Sequence, residues 1–230
     1  MSVSVIIPVG PGEAEWKPLV ASLALQDPSE ILLSIGRDGV IHQDEVCEFP
    51  NVKLVREGQK RSGQMNAAAL NAKHEWLWFL HADSRLCENT LEKMRMVMSK
   101  DKLALYYFDL KFRDDGPRQM ILNERSVKFR SDVLKIPFGD QGFLIRRETF
   151  FDLGMYREDV NFGEDHVLVW KCHQSGIAVL PVGAGLLTSA RKYQEKGWGK
   201  TTLKHVMLTF QQATPEFFKL VGSKLGWKIR

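Results

Sequence analysis

The sequence predicts an α/β fold, a mostly parallel twisted sheet flanked by helices and built as one large domain. Short apolar runs alternate with segments whose apolar residues recur at helical spacing. The connections between them are short, which favours right-handed strand–helix–strand units covered on both faces. Polar clusters follow the second, third and fourth runs, at the carboxyl ends of strands where such sheets bind ligands. A length of 230 residues suits this reading, and 44% hydrophobic with 26% charged residues excludes a disordered or fibrous chain.

Val3–Val9 reads as a buried strand, with Pro8 marking where the chain leaves the sheet. Trp16, Leu19, Val20, Leu23 and Ala24 form one apolar helix face. Glu30–Ile35 is a second strand, stopped by the turn at Gly36, Arg37, Asp38 and Gly39, and Val52–Val55 is a third. A polar loop over residues 56–62 opens into a helix over 63–72. Residues 75–80 form a fourth strand, very apolar, followed at once by His81, Ala82, Asp83 and Ser84. Asn89 is placed to cap a helix over 90–98. Beyond it, residues 103–112 alternate like a strand and 119–133 carry a helical pattern. A polar loop, Pro137 to Gly142, precedes a strand at 143–145 and a helix at 148–153. Glu164 and Asp165 precede a helix over 166–174, then come strands at 178–182 and 186–188. A helical tail runs from Gly199, broken at Pro215.

Three scattered cysteines and no Cys-x-x-Cys pair argue against a disulfide framework or a structural zinc site and suit a reducing compartment. Nothing before Val3 resembles a secretory signal, and no apolar run nears the roughly 20 residues of a membrane span. The expectation is a cytoplasmic protein, at most peripheral to a membrane. The net charge of +4 is unevenly spread: residues 191–230 carry +7 and residues 1–190 carry −3. This divides the chain into a body, 1–190, and a basic helical tail, 191–230, that either meets an anionic surface or is simply solvated. Leu203, Val206, Met207 and Phe210, then Phe217, Phe218, Leu220, Val221, Leu225 and Trp227 among lysines, suit a helix on an anionic bilayer, a core contact or a dimer contact equally.

Candidate chemistry sits on the carboxyl-end turns. Asp83 is placed to hold a hard divalent cation on a diphosphate, since phosphate and water complete such a shell, or else to cap the turn that follows. Glu164 and Asp165 at a helix start are either a general-base site or ordinary N-terminal acids. Lys60, Arg61, Gly63 and Asn66 enter a helix N-terminus, an anion site or a solvated loop. His166 and His173, seven apart, could share a helix face, but no His-x-x-x-His pair supports a zinc hydrolase. The chain has no Gly-x-x-x-x-Gly-Lys-Ser/Thr loop, no Gly-x-Gly-x-x-Gly turn after its first strand and no Gly-x-Ser-x-Gly elbow, which demotes Walker NTPases, dinucleotide dehydrogenases and α/β-hydrolases.

Taken in order, these pieces resemble family 2 glycosyltransferases, inverting enzymes of the GT-A fold. Residues 4–9 resemble the family's opening strand, and Gly36-Arg37-Asp38-Gly39 stands at its Asp-Asp-Gly-Ser turn. Residues 63–68 resemble its Asn-x-Ala helix start, Phe79-Leu80-His81-Ala82-Asp83-Ser84 stands at its Asp-x-Asp motif, and Gly163-Glu164-Asp165 resembles its Glu-Asp motif. The His-Ala-Asp version, with Gly139-Asp140-Gln141-Gly142 and Thr188-Ser189-Ala190-Arg191, looks like a small bacterial single-domain subgroup. By this resemblance Asp83 would hold Mn²⁺ or Mg²⁺, and Asp165, with Glu164 as its neighbour, would be the catalytic base. Glu13, Asp38, Arg61, Asn66, His81 and Arg191 would contact the nucleotide, and Asp140 and Gln141 the donor or acceptor sugar. His81 and Arg37 depart from the family's Asp at both positions.

The implied partners are a UDP- or GDP-linked sugar donor and a hydroxyl acceptor, lipid-linked if the tail meets a membrane, with no nucleic acid. One base and one displacement invert the anomeric centre and need no covalent nucleophile. Two rivals stand beside this reading. A nucleotidyltransferase on a similar sheet would release pyrophosphate, and a degenerate transferase would bind nucleotide without turnover.

Overall fold

The N-terminal apolar runs become strands because aliphatic and aromatic residues fill them on both faces. In the computed structural model, which describes residues 2–25, 30–37, 39–160 and 162–224, β1 (Val3–Val9), β2 (Glu30–Ile35), β3 (Val52–Val55) and β4 (Trp76–Phe79) pair in parallel, in the order β3-β2-β1-β4. The same sheet continues beyond β4 through β7 (Phe143–Arg146), β6 (Ala104–Phe112), β8 (Ala178–Thr188) and β5 (Arg85–Leu86). β7 runs antiparallel to both of its neighbours, β8 is parallel to β6, and β5 is antiparallel to β8. The first half of the sheet is thus the expected parallel set, and the second half is mixed.

Helices α1 (Trp16–Ala24) and α3 (Thr90–Ser99) cover one face, packing Trp16, Leu19, Leu91 and Met94 against Val5 and Ile7. Helices α2 (Arg61–Asn71), α5 (Arg147–Asp152) and α6 (Glu164–Gln174) cover the other, where Ala68, Phe150 and Leu168 meet Ile6 and Leu77. The alanines of α2 let its backbone lie close over the parallel strands. Helix α4 (Met120–Asp132) lies against β6, and α7 (Arg191–Lys196) leads into α8 (Trp198–Lys224), which packs on α6.

Several local expectations are corrected. Asn89 precedes α3 in the left-handed conformation, and its side chain makes no cap bond; the Thr90 hydroxyl instead donates to Cys87 and Gly185 carbonyls. The two last strands are one, continuous through a bulge against β6. Helices α2 and α6 begin at Arg61 and Glu164, each two residues before the expected start. The tail does not break at Pro215. Helix α8 runs through it, because α6 grips the segment: Gln174 Nε2 donates to Glu216 Oε2 at 3.1 Å and Trp170 packs edge-on to Phe217. A single missing N–H is tolerated in a helix of 27 residues held that way. Residues 225–230 of the expected tail, with Leu225 and Trp227, lie outside the described residues.

Register assembles the site. Phe79, at the end of β4, pairs with Phe143, at the start of antiparallel β7. The turn after β4, with His81 and Asp83, therefore meets the short 3₁₀ turn Gly139–Gln141 that precedes β7. Thr188, ending β8, reaches the same rim beside Phe112.

Candidate active site

A cavity of about 660 Å³ opens between this rim, α4 and α8. Arg61, His81, Asp140, Glu164 and Asp165 line its charged end, and Phe112, Val127, Phe138 and Val206 are among its apolar walls.

Asp165 is the second residue of α6. One of its oxygens accepts the Gly139 N–H, and the other accepts the His166 N–H at 2.9 Å. Glycine is required opposite it, since a Cβ on residue 139 would lie 2.8 Å from Asp165 Oδ2. Two main-chain donors fix the carboxylate's orientation, and its remaining lone pairs are free of these bonds. Glu164 is buried and lies 3.6 Å from Arg61 Nε. Among the described residues, Glu164 is thus ion-paired to a guanidinium and Asp165 is not.

Arg61, the first residue of α2, also hydrogen-bonds His81 Nε2, which leaves the imidazole proton on Nδ1. Burial, together with Arg61 and Lys192, holds the His81 pKa well below its ordinary value, so the ring is neutral at physiological pH. Asp83 Oδ2 accepts the Thr188 hydroxyl at 3.2 Å and the Ser189 N–H at 3.4 Å; Oδ1 has no partner among the described residues. Asp140 Oδ1 is buried and unpartnered. Burial pushes the Asp140 carboxyl up to about 6, against the pull of Arg130, while Asp165 and Asp83 add to the rise. Among the described residues no three His, Cys, Asp or Glu side chains form a ready metal cage.

Other predicted residues serve the frame. Gln141 is buried: its Oε1 accepts from Ser131, Arg130 and the Phe138 N–H, and its Nε2 donates to Phe108, which fixes the turn carrying Asp140. Asn66 is buried on α2 and bonds both main-chain groups of Tyr156 and the Glu158 carboxylate. His166 and His173 do flank one side of α6, with Trp170 between them; its indole donates to His166 Nε2 at 2.7 Å. Glu13 is exposed, and among the described residues its carboxylate takes the N–H of Glu15. Asp38 lies outside the described residues.

Sequence reasoning missed Glu15 and Arg130. The Glu15 carboxylate gathers Arg85 at 2.6 Å, Arg113 at 2.9 Å and Arg191 at 3.1 Å, which holds its pKa low. Arg191 thus reaches the rim paired to the loop after β1. Arg130 stacks on Phe138 at 3.6 Å and adds a cation beside Asp140 and Asp165. Glu15 depends on partners distant in sequence and Arg130 on the fold of the turn that follows it, and no local pattern marks either.

The glycosyl transferase family 2 model matches residues 4–159, more than half of the chain. The chain belongs to glycosyl transferase family 2. No curated protein matches it. Among solved structures, the mannosyltransferase PcManGT from Pyrobaculum calidifontis, in complex with GDP-Man and Mn²⁺, is similar with a TM-score of 0.67 at 16% identity, covering 96% of this chain and 68% of that one. S. aureus TarS 1–349 is similar with a TM-score of 0.62 at 18% identity, covering 82% of this chain and 60% of that one. GalNAc-T7 with UDP, GalNAc and Mn²⁺ follows at 0.60 and 17%, covering 82% of this chain and 44% of that one. This family 2 chain therefore spans about three fifths of TarS 1–349, and these likenesses establish its GT-A fold. No helix among its described residues is long and apolar enough to cross a membrane.

Proposed function

We propose that this chain is a metal-dependent inverting glycosyltransferase that moves a sugar from a UDP- or GDP-linked donor to a hydroxyl acceptor, with Asp165 as general base. One observation carries the reading. Asp165 faces the cavity as a carboxylate whose hydrogen bonds among the described residues are to main chain, while its neighbour Glu164 is paired with Arg61. A base must be near the acceptor and not committed to a cation, and Asp165 lines the cavity without an ion pair among the described residues. The complexes of PcManGT with GDP-Man and of TarS with UDP-GlcNAc support a sugar-nucleotide donor.

The donor end follows from the rim. The unpartnered Asp83 Oδ1 and the orphaned, buried Asp140 Oδ1 suit a hard cation that needs one or two carboxylates besides phosphate oxygens and water. Bound there, Mn²⁺ or Mg²⁺ would act as a Lewis acid on the departing diphosphate. Arg61 at the α2 N-terminus and Arg191 at the rim supply guanidiniums for phosphate oxygens. Neutral His81 presents Nδ1–H to the nucleotide, where Glu13 and Asp38 would frame the nucleoside, while Asn66 stays engaged with Tyr156 and Glu158. Asp165 takes the acceptor proton as its oxygen attacks the anomeric carbon opposite the leaving group, and the configuration inverts.

Residues 1–190 would be the transferase body and 191–230 the element that walls its acceptor side. Leu203, Met207 and Phe210 are exposed on α8, which supports peripheral attachment at the cytoplasmic face of a membrane. A thermal-shift panel of nucleoside diphosphates with and without Mn²⁺ tests the donor. A ligand at a hundred times its Kd adds about 2.7 kcal/mol. Stabilisation by UDP or GDP that depends on Mn²⁺ is expected, and nucleoside diphosphate as the released product. Release of pyrophosphate would overturn the transfer reading.

A further inference from the structure

The cavity has two unlike ends. The charged end carries Asp165, Asp140 and Arg61. The far wall is built by one face each of α4 and α8, with Leu122 and Val127 on the first and Val206 and Leu208 on the second. Several polar side chains on that wall are already hydrogen-bonded. Asn123 donates to the Thr202 hydroxyl at 3.2 Å and accepts from the Trp198 indole at 2.7 Å. The Tyr193 hydroxyl meets His205 Nδ1 at 3.0 Å, and the Thr209 hydroxyl donates to the His205 carbonyl at 2.8 Å. With these groups engaged, the wall offers an occupant mainly apolar surface, to which the Ser126 hydroxyl of α4 adds a polar point. A saccharide acceptor would bring several hydroxyls, each needing a partner there.

The apolar surface also continues outward. Leu122 is 51% exposed and Val206 is 44% exposed, so both stand at the mouth as well as in the wall. On α8 beyond them, Leu203, Met207 and Phe210 are exposed beside Lys200 and Lys204. Apolar side chains interleaved with lysines suit an apolar body that approaches from an anionic surface.

Building on the glycosyl-transfer reading, we propose that the acceptor is an amphiphile: a hydroxyl at the Asp165 end of the cavity, joined to an apolar body lying between α4 and α8. The carboxylate fixes the reacting group, and the walls recognise the rest by burial, which discriminates by length and bulk rather than by hydroxyl pattern.

Alkyl glucosides of different chain length are the probe. Binding of methyl and octyl β-D-glucoside, the latter below its micelle concentration, is measured by calorimetry on the full chain. UDP and GDP binding with Mn²⁺ is measured on the same sample. Octyl glucoside is expected to bind at least tenfold more tightly than the methyl compound. Val206→Trp and Leu122→Trp, both at partly exposed positions that tolerate bulk, are expected to reduce that preference to under threefold, with thermal melting as the check on folding. Equal binding of the two glucosides, no binding of either, or an undiminished preference in both folded variants overturns the proposal. Nucleotide binding without chain-length preference overturns this inference alone. Chain-length preference with neither nucleotide bound overturns the acceptor role together with the reading beneath it.

Discussion

Replacing Asp165 by Asn should separate the chemistry from the architecture, because in the proposed mechanism this carboxylate serves both. Its oxygens accept the N–H groups of Gly139 and His166. Asparagine keeps one oxygen but turns an NH₂ toward the second donor, so one main-chain N–H loses its acceptor. The loss of a charge-assisted bond that leaves a donor unmet costs about 1–3 kcal/mol. For a chain of this size that corresponds to a melting temperature lowered by roughly 2–12 °C. Transfer should fall much further, by roughly 10²–10⁴-fold, because the amide cannot take the acceptor proton. Nucleoside diphosphate affinity should stay within a few-fold of wild type. Glu164→Gln removes only the 3.6 Å pairing with Arg61 and should leave transfer within about tenfold. Turnover is measured at a temperature well below both melting transitions, with donor binding measured beside it. A folded Asp165→Asn protein that transfers sugar at the wild-type rate would refute the assignment, and a Glu164→Gln defect of 10²-fold or more would move the base to its neighbour.

Asp83→Ala should abolish the Mn²⁺-dependent part of nucleotide affinity and leave metal-independent binding intact; calorimetry with and without chelator decides this. Arg191→Ala should weaken nucleoside diphosphate binding by roughly tenfold or more, the scale of a lost charge-assisted contact, and unchanged affinity would remove Arg191 from the donor site. Asp140 titrates from the ordinary 3.8 up to about 6 because burial disfavours its charge. Between those values the folded state binds more protons than the unfolded, so this group makes stability fall as pH rises from about 4 to 6. Asp140→Asn should flatten that segment of a metal-free stability–pH curve, and an unaltered slope would show that the carboxyl is not so perturbed. Flotation with anionic vesicles should carry the protein at low salt and release it at high salt, and its absence would end the membrane proposal.

The sheet was legible where burial leaves a continuous trace. β1, β2 and β3 match the expected bounds because aliphatic runs ended by Pro, Gly or polar turns have few other solutions. Helix starts were less legible. The residues before α2 and α6 are Lys60 and Gly163, neither of which carries the side-chain cap that marks a helix entry in sequence. The two-residue β5 has no periodicity to read, and the course of α8 through Pro215 depends on α6, which lies 40 or more residues away. The candidate carboxylates were found from their place after strands and before a helix. Their convergence was not, because it follows from β7 entering antiparallel beside β4. Glu15 was passed over for Glu13, since the three arginines that distinguish it come from positions 85, 113 and 191.

The contacts of Thr188, Ser189 and Arg191 also bear on the order in which the protein can be made. As the chain leaves the ribosome, β1 to β4 can pair long before those residues exist, yet Asp83 gains its Thr188 and Ser189 donors only 105 and 106 residues later. Glu15 waits for Arg191 across 176 residues. Closure of such distant loops is slow relative to local pairing. The sheet can therefore stand before the rim is organised, and a chain stalled or cut ahead of residue 188 would hold nearly all of its hydrophobic core with the Asp83 carboxylate unanchored. Antibody recognition or protease resistance of the body would then report successful folding in material whose proposed donor site is unformed.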